Sequence, residues 1–288
     1  MEDWIMVAGS GPTVRQRRLA SELRRLRELK GFTGEQAARR VGWQSSKISR
    51  IEHCTSRVKA ADLITLLDAY GVAGEARQSL ITLQASVREH GWWDVYDDLP
   101  SGYAGYIGLE SDAAVIRCYS MQLVHGLLQT EDYARAVIGA TMMSQEPAEK
   151  IDRRIEVRMT RQATLSKPEP LNIHSIIDEA ALRRIMGDPG VMSRQCAHLL
   201  AQAQQPHVTI QVLSHDAGAH PAVVGPFAIL DFPGIHPDIV YIETLASSIY
   251  IEADAEVYRY NLVFDQLCAM ALNPDDSLVF LHAIAATT

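Results

Sequence analysis

Apolar residues recur at helical spacing through the first third of the chain and give way to shorter β-branched and aromatic runs toward its end. Leu19, Leu23 and Leu26, three or four positions apart, predict a helix over residues 14–30, and Gly31 supplies its stop. Thr33 and Gln36 have the spacing of a capping box, so a second helix is expected from there to about Val41. Gly42 ends it, because glycine enters a left-handed backbone conformation at least cost. Further helices are expected over residues 45–52, over 59–70 on Leu63, Leu66 and Leu67, and over 75–90. About five short helices thus make an all-α domain over residues 14–90, behind an N-terminal tail of residues 1–13.

The pattern changes after His90. Gly91-Trp92-Trp93 and the Asp97–Gly102 stretch read as a boundary or a docking strap. Helical spacing resumes over residues 109–119, 130–142 and 148–165, so 103–167 is expected to be helical. Beyond Pro168, strands are expected over 171–177, 208–213, 227–232, 239–243 and 248–251. Helices are expected over 179–186, 191–204, 253–272 and 277–285. Residues 91–288 therefore read as an α+β domain with a small sheet.

Charge sharpens this division. The net charge is −8, yet residues 1–70 hold 13 Lys and Arg against 8 Asp and Glu. The rest of the chain holds 14 basic and 27 acidic groups, a balance of −13 against +5 at the start. One end is suited to approach a polyanion and the other is not. Cys54, Cys118, Cys196 and Cys268 are widely spaced with no CxxC pair, which points to reduced thiols rather than a disulfide frame or zinc site. The first ten residues carry acid where a secretion signal is basic, and no run of about 18 apolar residues is present. A cytoplasmic protein with no membrane partner is expected.

Residues 33–52, TGEQAARRVGWQSSKISRIE, hold the most specific pattern. Ala38 is small enough for two helices to cross, Gly42 supplies a turn, and Val41, Ile48 and Ile51 lock the second helix to the first. The other positions of that helix, Ser45, Ser46, Lys47, Ser49 and Arg50, are polar. This is the arrangement of a helix-turn-helix, whose second helix enters the major groove of double-stranded DNA. Gln44, Ser45, Ser46, Ser49 and Arg50 are the candidates for base readout, Arg50 through a guanine O6 and N7. Thr33, Lys47, Arg57 and Lys59 are the candidates for phosphate contacts, which set register rather than sequence.

Through Thr33, Ala38, Gly42, Ile48, Ser49, Ile51 and Glu52 the segment resembles the XRE family, the regulators related to lambda repressor and Cro. It departs at Gln44, where that family often has a capping serine or threonine, and at Cys54, where it commonly has glycine. A second resemblance rests on Gly91-Trp92-Trp93, Gly126–Thr130, Tyr133-Ala134-Arg135, Arg161-Gln162, Asp178–Leu182 and Gly225-Pro226-Phe227. These are similar to the uncharacterised C-terminal domain of actinobacterial, WhiJ-like regulators, with His125 where proline is usual. The resemblance implies a transcription regulator, a repressor, controlled through its second domain by a small acidic protein encoded nearby or by a small-molecule effector. Such regulators resemble antitoxins in gene arrangement. The other reading is therefore an antitoxin-like protein that sequesters its partner and binds DNA mainly to regulate itself.

No catalytic constellation stands out, so no enzyme, metal or cofactor is expected. Asp178-Glu179 read as acids at a helix start, and His215, Asp216 and His220 match no standard zinc spacing. Arg153, Arg154, Arg158 and Arg161 recur near Glu149, Asp152 and Glu156 and read as a solvated, ion-paired helix face. One recognition helix covers only a few base pairs, so a homodimer across two half-sites is expected. Residues 109–165 and the helix around Tyr258, Leu262, Phe264 and Leu267 offer apolar surface for it.

Overall fold

The computed structural model describes residues 6–7, 14–86, 92, 96, 99, 101–141, 147–233, 237–245 and 247–287. They fall into two compact units, one within Gly9–Val95 and one comprising Met1–Ala8 with Tyr96–Thr288.

The first unit is all-α: α1 (Val14–Leu29), α2 (Gly34–Arg40), α3 (Ser45–Glu52), α4 (Ala60–Tyr70) and α5 (Gly74–Ser86). The expectation of a fifth helix as far as His90 lies beyond the described residues after Ser86. One core joins the helices, with Leu19, Leu23, Ala38, Ile48, Ile51, Leu63, Leu67 and Tyr70 all nearly free of solvent contact. Burial pushes the Tyr70 hydroxyl up to about 12. Four of the helices end in the same way. The amide two residues past the last turn reaches back to a carbonyl five positions earlier, as in Phe32 to Arg27 at 3.1 Å and Trp43 to Ala38 at 2.8 Å. The residue between must be left-handed, which Gly31 and Gly42 satisfy at φ +69°. After α3 that place is held by Cys54, at φ 56°.

The second unit is α+β. Its order is β1 (Met6–Val7), α6 (Ser101–Asp112), β2 (Val115–Ser120), α7 (Glu131–Thr141), α8 (Ala148–Arg161), β3 (Asn172–Asp178), α9 (Glu179–Arg183), α10 (Pro189–Gln202), β4 (Val208–Leu213), β5 (Phe227–Asp231), β6 (Ile239–Glu243), β7 (Ser248–Ile251), α11 (Asp254–Met270) and α12 (Pro274–Thr287). The sheet runs β1-β7-β6-β5-β2-β3-β4. β2, β3 and β4 are parallel, joined by helical crossovers, and the remaining pairs are antiparallel. α11 covers one face, setting Val257, Phe264 and Leu267 against Tyr119, Ile176, Phe227, Ile229 and Val240.

Two expectations are corrected. Residues 115–119 are a strand, not the end of a helix. β2 lies between β3 and β5, and Ile116, Cys118 and Tyr119 are each at most 1% exposed. A strand buried on both faces shows no polar alternation, and so it imitates a buried helix. Met6–Val7 is not tail but an edge strand, pairing Met6 with Tyr250 and Val7 with Ile249. The open backbone groups of β7 thereby find partners.

Candidate nucleic-acid interface

α3 owes its position to three contacts. Ile48 and Ile51 are 1% and 2% exposed and anchor one face in the core. At its end, Glu52 takes a two-pronged ion pair from Arg27 of α1, Nε to Oε1 at 2.7 Å and Nη2 to Oε2 at 2.8 Å. Arg27 Nη1 also donates to the Phe32 carbonyl at 2.7 Å, so one side chain ties α1, the α1–α2 turn and α3 together. On the flank, Lys47 Nζ sits 2.7 Å from Asp62 Oδ1 of α4 and 3.6 Å from the centre of the Trp43 ring.

The opposite face is open. Gln44, Ser45, Ser46, Ser49 and Arg50 are all exposed. Gln44 is the N-cap of α3, and its side chain makes no capping bond. α3 therefore presents its first amides uncapped, which favours an approaching anion. Ser49 Oγ lies 3.4 Å from His53 Nδ1, and that ring also meets the Ser49 carbonyl at 2.8 Å. Arg50 donates from Nε to the Ser46 carbonyl one turn back at 3.3 Å and is exposed.

Thr33 caps α2, its hydroxyl accepting from Gln36 N at 3.2 Å while Gln36 Oε1 accepts from Thr33 N at 2.8 Å. The capping box expected from the spacing is present. Arg57 and Lys59 are exposed on the segment between α3 and α4, where Lys59 is the N-cap of α4 without a side-chain bond. Lys47 differs from the other phosphate candidates, since Asp62 already neutralises its ammonium. Arg27, Trp43 and Asp62 were not foreseen as parts of this surface. Nothing local marks Arg27 and Asp62, whose partners Glu52 and Lys47 lie in another helix, whereas Trp43 stands only four positions before Lys47, a spacing that could have shown it.

Residues 18–80 match the family described as Helix-turn-helix domain. Residues 103–283 match the one described as Domain of unknown function (DUF5753). The chain belongs to the DUF5753 family. No curated protein and no solved structure matches it.

Within the DUF5753 part, Asp178 Oδ1 accepts from Ala180 N at 2.8 Å, so this acid is the N-cap of α9. Its Oδ2 accepts from the Tyr119 hydroxyl at 2.9 Å, and His220 Nε2 lies 3.4 Å from that hydroxyl. Glu179 Oε2 accepts from the His215 amide at 2.9 Å. Asp216 is exposed, and among the described residues no three His, Cys, Asp or Glu side chains are grouped to hold a metal ion. The expected ion-paired face of α8 is different in kind. Asp152 goes to Arg135 of α7 at 2.5 Å, and Arg161 to Glu110 of α6 at 2.6 Å with both side chains at most 4% exposed. Among the described residues no helix is long and apolar enough to cross a membrane.

Proposed function

We propose that this protein is a transcription regulator that reads double-stranded DNA with α3, binds as a homodimer and acts in the cytoplasm as a repressor. The observation that carries the reading is the two-sided character of α3. Ile48, Ile51 and Glu52 are locked into the fold, while Gln44, Ser45, Ser46, Ser49 and Arg50 stand exposed at a helix end with no capping side chain. A helix is the element that fits the major groove, about 12 Å wide. The basic balance of the first 70 residues supports approach to phosphates. The likeness to XRE and WhiJ-like actinobacterial regulators supports control through the DUF5753 domain by a small protein or ligand.

The test is selection of bound fragments from genomic DNA by purified protein at moderate salt, repeated with Arg50→Ala. A shared palindromic site, bound about tenfold or more weakly by the variant, supports the reading, since one bidentate guanine contact is worth about 1–3 kcal/mol. Recovery without sequence preference, or equal binding by the variant, overturns it.

A further inference from the structure

We propose that α8 carries a binding site for a small oxyanion, a phosphate- or carboxylate-bearing ligand, held by Arg154 and Arg158. The inference stands apart from DNA recognition and concerns only the second unit.

Arg154 and Arg158 lie one turn apart on one face of a helix and are both half-buried. Among the described residues neither has a carboxylate within ion-pair distance, and the Nε of each is buried without a hydrogen-bond acceptor. Arg158 donates from Nη1 to Gln129 Oε1 at 3.0 Å, a neutral partner. The acids that could neutralise them are committed elsewhere: Asp152 to Arg135, Glu156 to the Tyr96 hydroxyl and Glu110 to Arg161. Two uncompensated guanidiniums thus stand beside one another in the acidic part of the chain. Removing charge from water without a partner is costly, and a buried donor left unmatched calls for an explanation, a missing ion or water being one.

The surroundings suit an anion. The Arg161–Glu110 pair next to the site is neutral as a unit, so it does not cancel the other two charges. His125 is held down to about 3, by burial first and then by Arg161 and Arg158, so it adds no charge of its own. The turn at Gly126 lies alongside both side chains, a Cβ built there falling at ordinary contact distance from Arg158 Nε (3.8 Å) and Arg161 Nη1 (3.5 Å). A planar guanidinium offers paired donors that match phosphate and carboxylate oxygens, which a lysine at the same place would not.

The experiment is thermal unfolding of the full-length protein at constant ionic strength, with chloride replaced stepwise by inorganic phosphate or by citrate. A saturable rise in the midpoint is expected, with at least tenfold weaker apparent affinity in R154Q/R158Q and an intermediate loss in R154K/R158K. Response to phosphate alone assigns a phosphate-bearing ligand, and response to citrate alone a carboxylate. Without either anion, R154Q/R158Q is expected to unfold at the same or a higher temperature, because two like charges have been removed. An equal response in R154Q/R158Q overturns the proposal. So does loss of the response in R57A/K59A instead, which would place the anion on the DNA face. A marked drop in the anion-free midpoint of R154Q/R158Q overturns it too, by making the arginines structural.

Discussion

Arg27 and Glu52 are 25 positions apart in the chain and meet as a two-pronged ion pair whose side chains are 11% and 7% exposed. The hydrogen bond to Glu52 raises the Arg27 guanidinium above its ordinary value. The pair fastens the end of α3 to α1, so the orientation of the exposed serines depends on a contact that touches none of them. Removing one member leaves a desolvated charge behind. Glu52→Ala is expected to cost about 3–5 kcal/mol in chemical denaturation of the helical unit. The double variant R27M/E52M should recover a large part of that loss. Equal stability of the single and double variants would show that the clamp contributes only packing.

Lys47 and Arg57 separate two ways of using a positive charge. Each lysine or arginine that neutralises a phosphate steepens the salt dependence of DNA binding by about 0.9 in the log–log slope. Arg57→Ala and Lys59→Ala should each flatten the slope by about that much. Lys47→Met should leave the slope unchanged while weakening sequence preference, since its ammonium is already held between Asp62 and Trp43. Lys47→Arg should restore that preference. A slope flattened by Lys47→Met would make Lys47 a phosphate contact after all.

Cys54 occupies a backbone conformation that glycine adopts freely, at φ 56°, and its thiol donates to the Gln16 carbonyl at 3.5 Å. A left-handed residue with a Cβ costs roughly 1–2 kcal/mol, and a β-branched one more. Cys54→Gly is therefore expected to stay within about 1 kcal/mol of wild type, since relieved strain is offset by the freer unfolded chain. Cys54→Val should be clearly less stable by thermal unfolding. The reverse order would mean that packing of the side chain governs this turn.

Asp231 and Asp238 share one guanidinium, that of Arg117, at 2.7 Å and 3.3 Å. Burial, then the hydrogen bond and charge of Asp231, push the Asp238 carboxyl up to about 6. An acid whose folded value exceeds its unfolded one binds its proton more tightly in the native state. Its contribution to stability is full below the ordinary value of 3.8 and is lost as pH rises through about 6. Asp238→Asn should accordingly raise the stability of the second unit at pH 7.5, by up to about 2 kcal/mol, with the gain shrinking toward pH 4. A gain that does not vary with pH would assign the effect to packing.

The arginines of α8 show where reading by spacing ends. Four arginines on α8, at positions 153, 154, 158 and 161, look like any solvated face. Which of them is paired depends on Glu110, Asp152 and Arg135, drawn from three helices. The candidate DNA-reading residues are different, because a polar face opposite Ile48 and Ile51 is itself a pattern along one helix. All five lie exposed on it.

Local chemistry accounts for what could be read directly: the capping box at Thr33 and Gln36, the left-handed turn at Gly42, the period of Leu63, Leu66 and Leu67, and five of the strands. The cap and the turn close within about five residues, and the helix and strand periods are patterns along one short stretch, so the residue types there signal them. The conformation of residues 115–120, the pairing of Met6–Val7 with β7, the Arg27–Glu52 clamp and the orphaned charges of Arg154 and Arg158 were settled by tertiary structure. There the deciding partner lies far along the chain. A buried apolar strand, an edge strand and a half-buried charge take their meaning only from what the fold places beside them.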